Sequence, residues 1–477
     1  LSAFIPPFPA RLPSEPSIWQ RIRTGRSNLL AFWEDEAFEY EFVATRLLTR
    51  RIFLCNSPDA VQFAFSTHNQ SFERKSPQHR HALQPLLGDG LFVSDGKTWA
   101  ARRRIVAPIV HVSRLAEFAP VMVETANEAR ARWAGLPPGT RIDALGEMAR
   151  LAAEIICRTI FGRELGREHA GAVVEGFSEY QRLIGQLDLL SFFGAPDWFP
   201  RWRGPALHRA VRRIHGVLDG IIASCRAQSD REQSVIGRLL DARDEETGEP
   251  LSEEALRNEA AVLFMAGHET TANSLAWTWY LLSQTPDVET RLHDELDTVL
   301  GGRTPTLADV GRLAYTRAVF EEAMRLYPPV PFLSREALRE ETFRERRIPK
   351  GSIILVSPWL LHRHRKFWRD PDRFIPDRFM PGGKEPVSKF AYIPFSIGPR
   401  ICAGMSFGLT EAILGLATLA QSFSLRLVPG HIVEPVCRLT LRPEGGLPMT
   451  LHARASPHKA ASVPPTEATP GCPFGHG

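Results

Sequence analysis

The stretch FSIGPRICAG, residues 395–404, decides how this chain is read. Its Cys402 has a glycine close on each side, Gly398 before it and Gly404 after it. A helical pattern begins directly behind, over about 404–422. A thiolate there would sit among backbone N–H groups and at the positive end of a helix dipole. Both stabilise S⁻ and lower the thiol pKa. Such a thiolate serves either as a nucleophile or as a metal ligand. As a nucleophile it needs a base, and the neighbouring sequence offers none.

Working outward, composition excludes several classes. The chain has 477 residues, 43% hydrophobic and 23% charged, the balance of a soluble globular protein. That excludes a disordered chain, a collagen-like repeat and a coiled coil. Net charge is 58 − 54 = +4, too weak a bias to point to nucleic acid. Six cysteines, at 55, 157, 225, 402, 437 and 472, are too sparse for a disulfide scaffold and have no CxxC or zinc-like spacing. A reducing, cytoplasmic setting is expected. No apolar run suggests a bilayer span of ~18–20 residues, so no transmembrane anchor is expected.

The organisation is equally uneven. Residues 1–18 hold five prolines, and 1–38 read as a Pro-rich N-terminal arm. Residues 38–65 read as a small twisted sheet and about 97–330 as helices. The clearest helix follows Ser252, a good N-cap, and runs to about Ser283. It is apolar nearly all round from 260 to 282, as a helix through the middle of a core would be. The next opens at Thr285-Pro286 and stops at Gly301-Gly302. Another is expected from about 307 to Tyr327, ended by Pro328-Pro329. Ile353–Val356 reads as a buried strand, 362–402 as a long irregular segment, and 423–453 as short strands. Residues 39–455 are expected to form one domain, and 456–477 a disordered tail or linker.

The pattern FxxGxRxCxG (Phe395, Gly398, Arg400, Cys402, Gly404) resembles the haem-binding signature of the cytochrome P450 superfamily. Chance would produce it on the order of once in 10⁴ chains. Four further segments fall in that family's order. Glu322 and Arg325 match its ExxR. Phe374–Phe379, containing Arg378, matches its FxPxRF. Ala266-Gly267-His268-Glu269-Thr270-Thr271 matches its oxygen-binding motif on the long helix. Trp99 and Arg103 match its WxxxR. The resemblance spans about 40–453.

It implies a mainly α (α+β) fold, a large helical domain with small β-sheets around a buried haem b (iron protoporphyrin IX). Cys402 would be the iron ligand, whose thiolate pushes electron density onto the metal and favours O–O cleavage. Phe395 would pack beside it, and Gly398 would let the loop turn at positive φ. Arg400, Trp99, Arg103 and, after Ser334, Arg335 would hold the haem propionates. Glu322, Arg325 and Arg378 would form a buried structural network. Gly267 weakens the long helix, and Thr270 can bond a carbonyl one turn back and bend it. Glu269 would relay protons beside the Thr270 hydroxyl; the alternative for Glu269 is a salt-bridged core carboxylate.

The same resemblance puts a substrate pocket over the haem. Phe264 and Ala266 would line it together with Val330 and Phe332, closed by 72–93 and the 442–448 turn. An apolar or amphipathic substrate is expected: a fatty acid, terpenoid or aromatic. The aromatic run at 190–202, with Phe192, Phe193, Trp198, Phe199 and Trp202, would roof the entrance and could touch a membrane peripherally. The sequence contains no flavin, nicotinamide or iron–sulfur motif, so electrons are expected from a separate partner. The segment His362–Arg373 carries five basic and two acidic side chains. With Arg102 and Arg104 it could dock an acidic ferredoxin or flavodoxin-type donor. A reductase fused beyond Gly477 is the alternative. The implied activity is O₂-dependent monooxygenation. Peroxide-driven peroxygenase or isomerase chemistry, against which Glu269-Thr270 argues, and a non-enzymatic haem sensor remain the other readings.

Overall fold

A computed structural model describes residues 4–12, 17–184, 195, 199–200, 203–228, 234–437 and 439–454. The 190–202 aromatic run, except Ala195, Phe199 and Pro200, and the 456–477 tail lie outside the described residues. The longer helices are α1 (Ile18–Ser27), α2 (Pro77–Leu87), α3 (Gly96–Ile109), α4 (Leu115–Ala134), α5 (Ala144–Phe161), α6 (Arg163–Leu183), α7 (Pro205–Ala227), α8 (Val235–Asp241), α9 (Glu253–Gln284), α10 (Pro286–Leu300), α11 (Ala314–Leu326) and α12 (Met405–Ala420). The strands are β1 (Phe42–Leu47), β2 (Arg50–Cys55), β3 (Arg74–Lys75), β4 (Arg141–Asp143), β5 (Leu333–Glu336), β6 (Glu341–Phe343), β7 (Arg346–Ile348), β8 (Ile353–Val356), β9 (Phe423–Leu427), β10 (Pro435–Cys437), β11 (Leu441–Pro443) and β12 (Pro448–Ala453).

Helix α9 is the axis of the helical body. Ser252 caps it, accepting the Ala255 amide at 3.2 Å, and Glu253 and Glu254 face its positive end. Every residue from Thr271 to Leu282 is buried. Two of its buried hydroxyls are satisfied inside the helix: Ser274 donates to the Thr270 carbonyl at 2.9 Å and Thr278 to the Ser274 carbonyl at 2.7 Å. Around it pack α5, α7, α11 and α12. Helix α10 ends at Gly301 in the left-handed region, φ 56°.

Helix α11 is shorter than the sequence predicts, starting at Ala314 rather than near 307. Asp309 accepts from the Thr306 amide and hydroxyl and pairs with Arg303. These local bonds close Leu307–Asp309 into a single tight turn that competes with a helix. The Pro-rich N-terminal segment packs on the rest of the protein. Leu30, Trp33, Ala37 and Phe38 are buried in the main core, and the Tyr327 hydroxyl donates to the Pro7 carbonyl at 2.8 Å.

Five strands form one sheet in the order β1-β2-β8-β5-β3, with β2 and β8 parallel and the other neighbours antiparallel. Its edge pairs Lys75 directly opposite Arg335. A three-stranded sheet runs β4-β12-β9, and β6–β7 and β10–β11 are hairpins. The most apolar long helical segment, Gly96–Ala134, has a mean hydropathy of 1.4 in its most apolar window, half of which is buried inside the protein. A turn at Val112–Arg114 divides it, and α4 packs on α12.

The turn before α3 is laid tightly on α9. A Cβ at Gly90 would meet the Val262 Cγ2 at 2.7 Å. Wholly buried Glu259 accepts the Leu91 amide at 2.9 Å and lies 3.4 Å from the Arg102 Nε. Burial pushes the Glu259 carboxyl up to about 7; Arg102 and the Leu91 amide oppose this, while Asp89 adds to it. The folded protein therefore holds this proton more tightly than the unfolded chain does. That stabilisation is full below the ordinary 4.5 and is lost as pH rises through about 7. Glu259→Gln is expected to remove up to ~1.4 kcal/mol per pH unit of slope across that window. Urea melts at successive pH values check it.

Candidate active site

The Cys402 loop is built on backbone contacts. The Cys402 amide donates to the Phe395 carbonyl at 2.9 Å, and the Ile401 amide to the Gly398 carbonyl at 3.0 Å. Gly398 has φ +74°, and a Cβ there would lie 1.9 Å from the Phe65 carbonyl oxygen, so only glycine fits. Helix α12 starts just behind, at Met405. The thiol does not follow the direction expected from sequence. Burial pushes it up, outweighing the Gly404 amide and Arg103, which pull it down. Yet Cys402 is accessible, as is Ala266 in the middle of α9. Side chains that are deep in the protein and still accessible line an internal space.

Cations gather beside this loop. The Arg103 Nη1 donates to the Ile401 carbonyl at 2.9 Å. The Arg400 guanidinium lies 4.5 Å over the Trp99 ring and donates to the Ser94 carbonyl at 2.9 Å. Arg335 is 3% exposed and sits 5.1 Å over the Phe65 ring. Lys75, its cross-strand partner, lies 4.3 Å over the Phe92 ring. His79 Nδ1 is 2.7 Å from the Ser334 Oγ. Burial, reinforced by Arg400, holds Arg335 down at about 9; burial holds Arg400 at about 10, where Glu73 and Asp95 oppose it and Arg103 adds to it. It holds His79 at about 3 and Lys75 well below the usual lysine range. Among the described residues none of Lys75, Arg103, Arg335 and Arg400 makes an ion pair, and buried Arg335 Nη1 and Arg400 Nε have no hydrogen-bond partner. Lys75 and His79 were not visible as site residues in the sequence; the β3–β5 register is the signal that exposes Lys75.

Glu322 and Arg325 are both wholly buried, with contacts of 2.6 and 2.8 Å. Arg325 also donates to the carbonyls of His362 (2.8 Å), Pro371 (2.7 Å) and Arg373 (2.9 Å). Glu322 accepts the Ile375 amide at 2.8 Å and the Arg378 Nε at 3.3 Å. One helical turn thus pins the irregular 362–378 segment.

On α9 the Thr270 hydroxyl donates to the Ala266 carbonyl at 2.7 Å. Gly267 has a packing reason beyond helix weakening: a Cβ would meet the Ile156 Cδ1 at 2.6 Å. Glu269 lies close enough to Cys437 to help burial raise that thiol. Phe264 is a correction. It is wholly buried, 4.6 Å from the Phe177 ring and 5.2 Å from His268, so it faces α6 and lines no accessible space. Val330 and Phe332 are half-buried, and Phe332 stacks on Trp33 at 6.3 Å. The closing turn is also corrected. The 442–448 turn is tied to α5, Leu447 donating to Asp143 at 2.7 Å. The β10–β11 hairpin instead reaches α9, through Asn273 and Thr440 at 3.1 Å.

The expected positive face is largely neutralised. Arg102 pairs with Asp89, Arg104 with Asp244, Arg365 with Asp35 and Glu39, and Lys366 with Glu41. Arg363 is buried. Arg369, 90% exposed, is the most outward cation of that segment and lies 3.8 Å from Asp370, and the partly exposed Arg373 lies 3.9 Å from the same carboxylate.

The family model described as Cytochrome P450 matches residues 6–447. The chain belongs to the cytochrome P450 family. It is 35% identical over 410 residues to cyclooctatin synthase of Streptomyces melanosporofaciens, covering 84% of this chain and 86% of that protein. It is 32% identical to cyclooctat-9-en-7-ol 5-monooxygenase of the same organism, covering 82% and 83%. Its fold matches the crystal structure of the cytochrome P450DA heme domain with a TM-score of 0.80 at 25% identity, covering 95% and 99%. It matches retinoic acid bound cyanobacterial CYP120A1 with a TM-score of 0.76 at 25% identity, covering 87% and 92%. A P450 is an oxidoreductase with a haem-thiolate cofactor, and this site fits one. Buried cations with idle N–H donors need an anion with several acceptors, which the two haem carboxylates supply. An accessible thiol opens beside them.

Proposed function

We propose that this cytochrome P450 carries haem b on Cys402 and hydroxylates a terpenoid-class lipophile with O₂ and electrons from a separate cytoplasmic protein. The observation that carries the reading is the accessible Cys402 thiol beside a cluster of buried and half-buried cations that make no ion pair among the described residues. The haem, when bound, supplies reductive activation of O₂. Arg335, Arg400, Lys75 and Arg103 orient it through its carboxylates. The Thr270 hydroxyl holds a proton against the Ala266 carbonyl, and Glu269 stands beside it as the carboxylate through which protons pass. The terpenoid class is supported by the two Streptomyces relatives and by the half-buried apolar Val330 and Phe332.

Arg335→Met is expected to speed haem transfer to apomyoglobin ~30-fold, the low end for truncating a buried charge pair. An unchanged rate would remove Arg335 from the haem site. The activity is tested by feeding cyclooctat-9-en-7-ol with isotopically heavy O₂ and a ferredoxin system, against palmitic acid. One heavy oxygen atom in the terpenoid product is expected. Turnover with peroxide but never with O₂ and electrons would make it a peroxygenase.

An acidic ferredoxin or flavodoxin-type donor remains the proposed partner. Arg102 and Lys366 have carboxylate partners at 3.1 and 2.7 Å, whereas Arg369 is 90% exposed and only loosely paired, with Asp370 at 3.8 Å, so its reversal is the change that reports docking.

A further inference from the structure

Asn28 ties the N-terminal segment to the β10–β11 hairpin. Its Nδ2 donates to the Pro435 carbonyl at 2.8 Å, and its Oδ1 accepts the Cys437 amide at 3.2 Å. The same Oδ1 accepts the Leu30 amide at 3.1 Å, and the Asn28 amide donates to the Thr24 carbonyl at 2.8 Å, so the residue is fixed on its own side. The C=O of one residue and the N–H two residues on are the groups a neighbouring strand would bond. The Asn28 carboxamide therefore stands in for a third strand on the outer edge of β10. The hairpin needs one: its ladder is only three residue pairs, Pro435↔Pro443 to Cys437↔Leu441, and an isolated two-stranded hairpin is marginal.

The hairpin borders the reaction space on its other sides. Thr440 accepts from Asn273 of α9 at 3.1 Å, and the Leu441 amide donates to the Pro329 carbonyl at 3.0 Å, beside Val330. Trp33, on the segment Asn28 begins, stacks on Phe332. We propose that Asn28 is a positioning residue: by fixing the β10 edge it sets how far the hairpin stands over the substrate space, and so the size of molecule accepted.

The proposal rests on the haem reading above, and the test separates the two. Imidazole is small and reports only an accessible haem iron; clotrimazole is bulky and reports the walls. In the haem-loaded protein, Asn28→Ala is expected to shift the ratio of clotrimazole to imidazole Kd by about fivefold or more, as loss of two or three neutral hydrogen bonds predicts. Imidazole binding itself should stay within about twofold, since the change lies outside the haem contacts. Amide exchange of 435–443 should quicken in the same variant. Should Asn28→Ala not fold, Asn28→Asp keeps the acceptor for Cys437, replaces the donor to Pro435 by a carboxylate oxygen that repels that carbonyl, and is read the same way. No imidazole shift in the parent protein would sink the haem reading. A normal imidazole shift with an unchanged ratio and unchanged exchange would sink the Asn28 proposal alone.

Discussion

Arg325→Ala is expected to leave no folded, haem-retaining protein. The guanidinium has no exposed surface and holds Glu322 and three backbone carbonyls. Removing one partner of such a buried pair costs ~3–5 kcal/mol. Each carbonyl left dry adds ~1–3 kcal/mol. Against a typical total stability of ~5–15 kcal/mol, little remains. Arg325→Lys is expected to fail as well, because an ammonium cannot fork to carboxylate and carbonyls at once. Soluble yield and urea melts decide it. A variant within ~1 kcal/mol of the parent would mean the irregular 362–378 segment is held by something else.

Cys402→Ser is expected to take up haem and lose oxygen insertion to background. The loop does not depend on sulfur: Cys402 is placed by its own amide on Phe395, and by Gly398 against Phe65. The cations beside the loop are untouched. What is lost is the donation of electron density that only a thiolate supplies. Haem content is measured after reconstitution, and heavy-oxygen incorporation alongside it. Incorporation at the parental rate would remove Cys402 from the chemistry.

The parts legible in the sequence are those in which the chemistry fixes residue identity over a short stretch. Cys402, Gly398 and Arg400 lie within five residues, and backbone geometry at Gly398 tolerates no substitute. Glu322 and Arg325 share one helical turn. The long α9 was legible from its cap and its unbroken apolar texture. That same texture hid which face borders the reaction space: apolarity all round carries no direction, so Phe264 read like Ala266 although it is buried against Phe177. Lys75 and His79 were illegible because Lys75 meets Arg335 only when β3 pairs with β5, and His79, on α2, reaches β5 through Ser334. The charge of 362–373 was misread for a similar reason. Its partners, Asp35, Glu39 and Glu41, come from the other end of the chain. The Cys402 thiol shows the general limit. Sequence displays the local amide and the helix start, whereas burial, the larger influence, belongs to the folded whole.

The central claim is that Cys402 binds haem iron as a thiolate. The full chain, loaded with haem, reduced and exposed to CO, is expected to show the long-wavelength Soret band of thiolate-ligated haem. A reduced CO complex with only the shorter-wavelength band of neutral ligation, in protein that is otherwise folded, would contradict it.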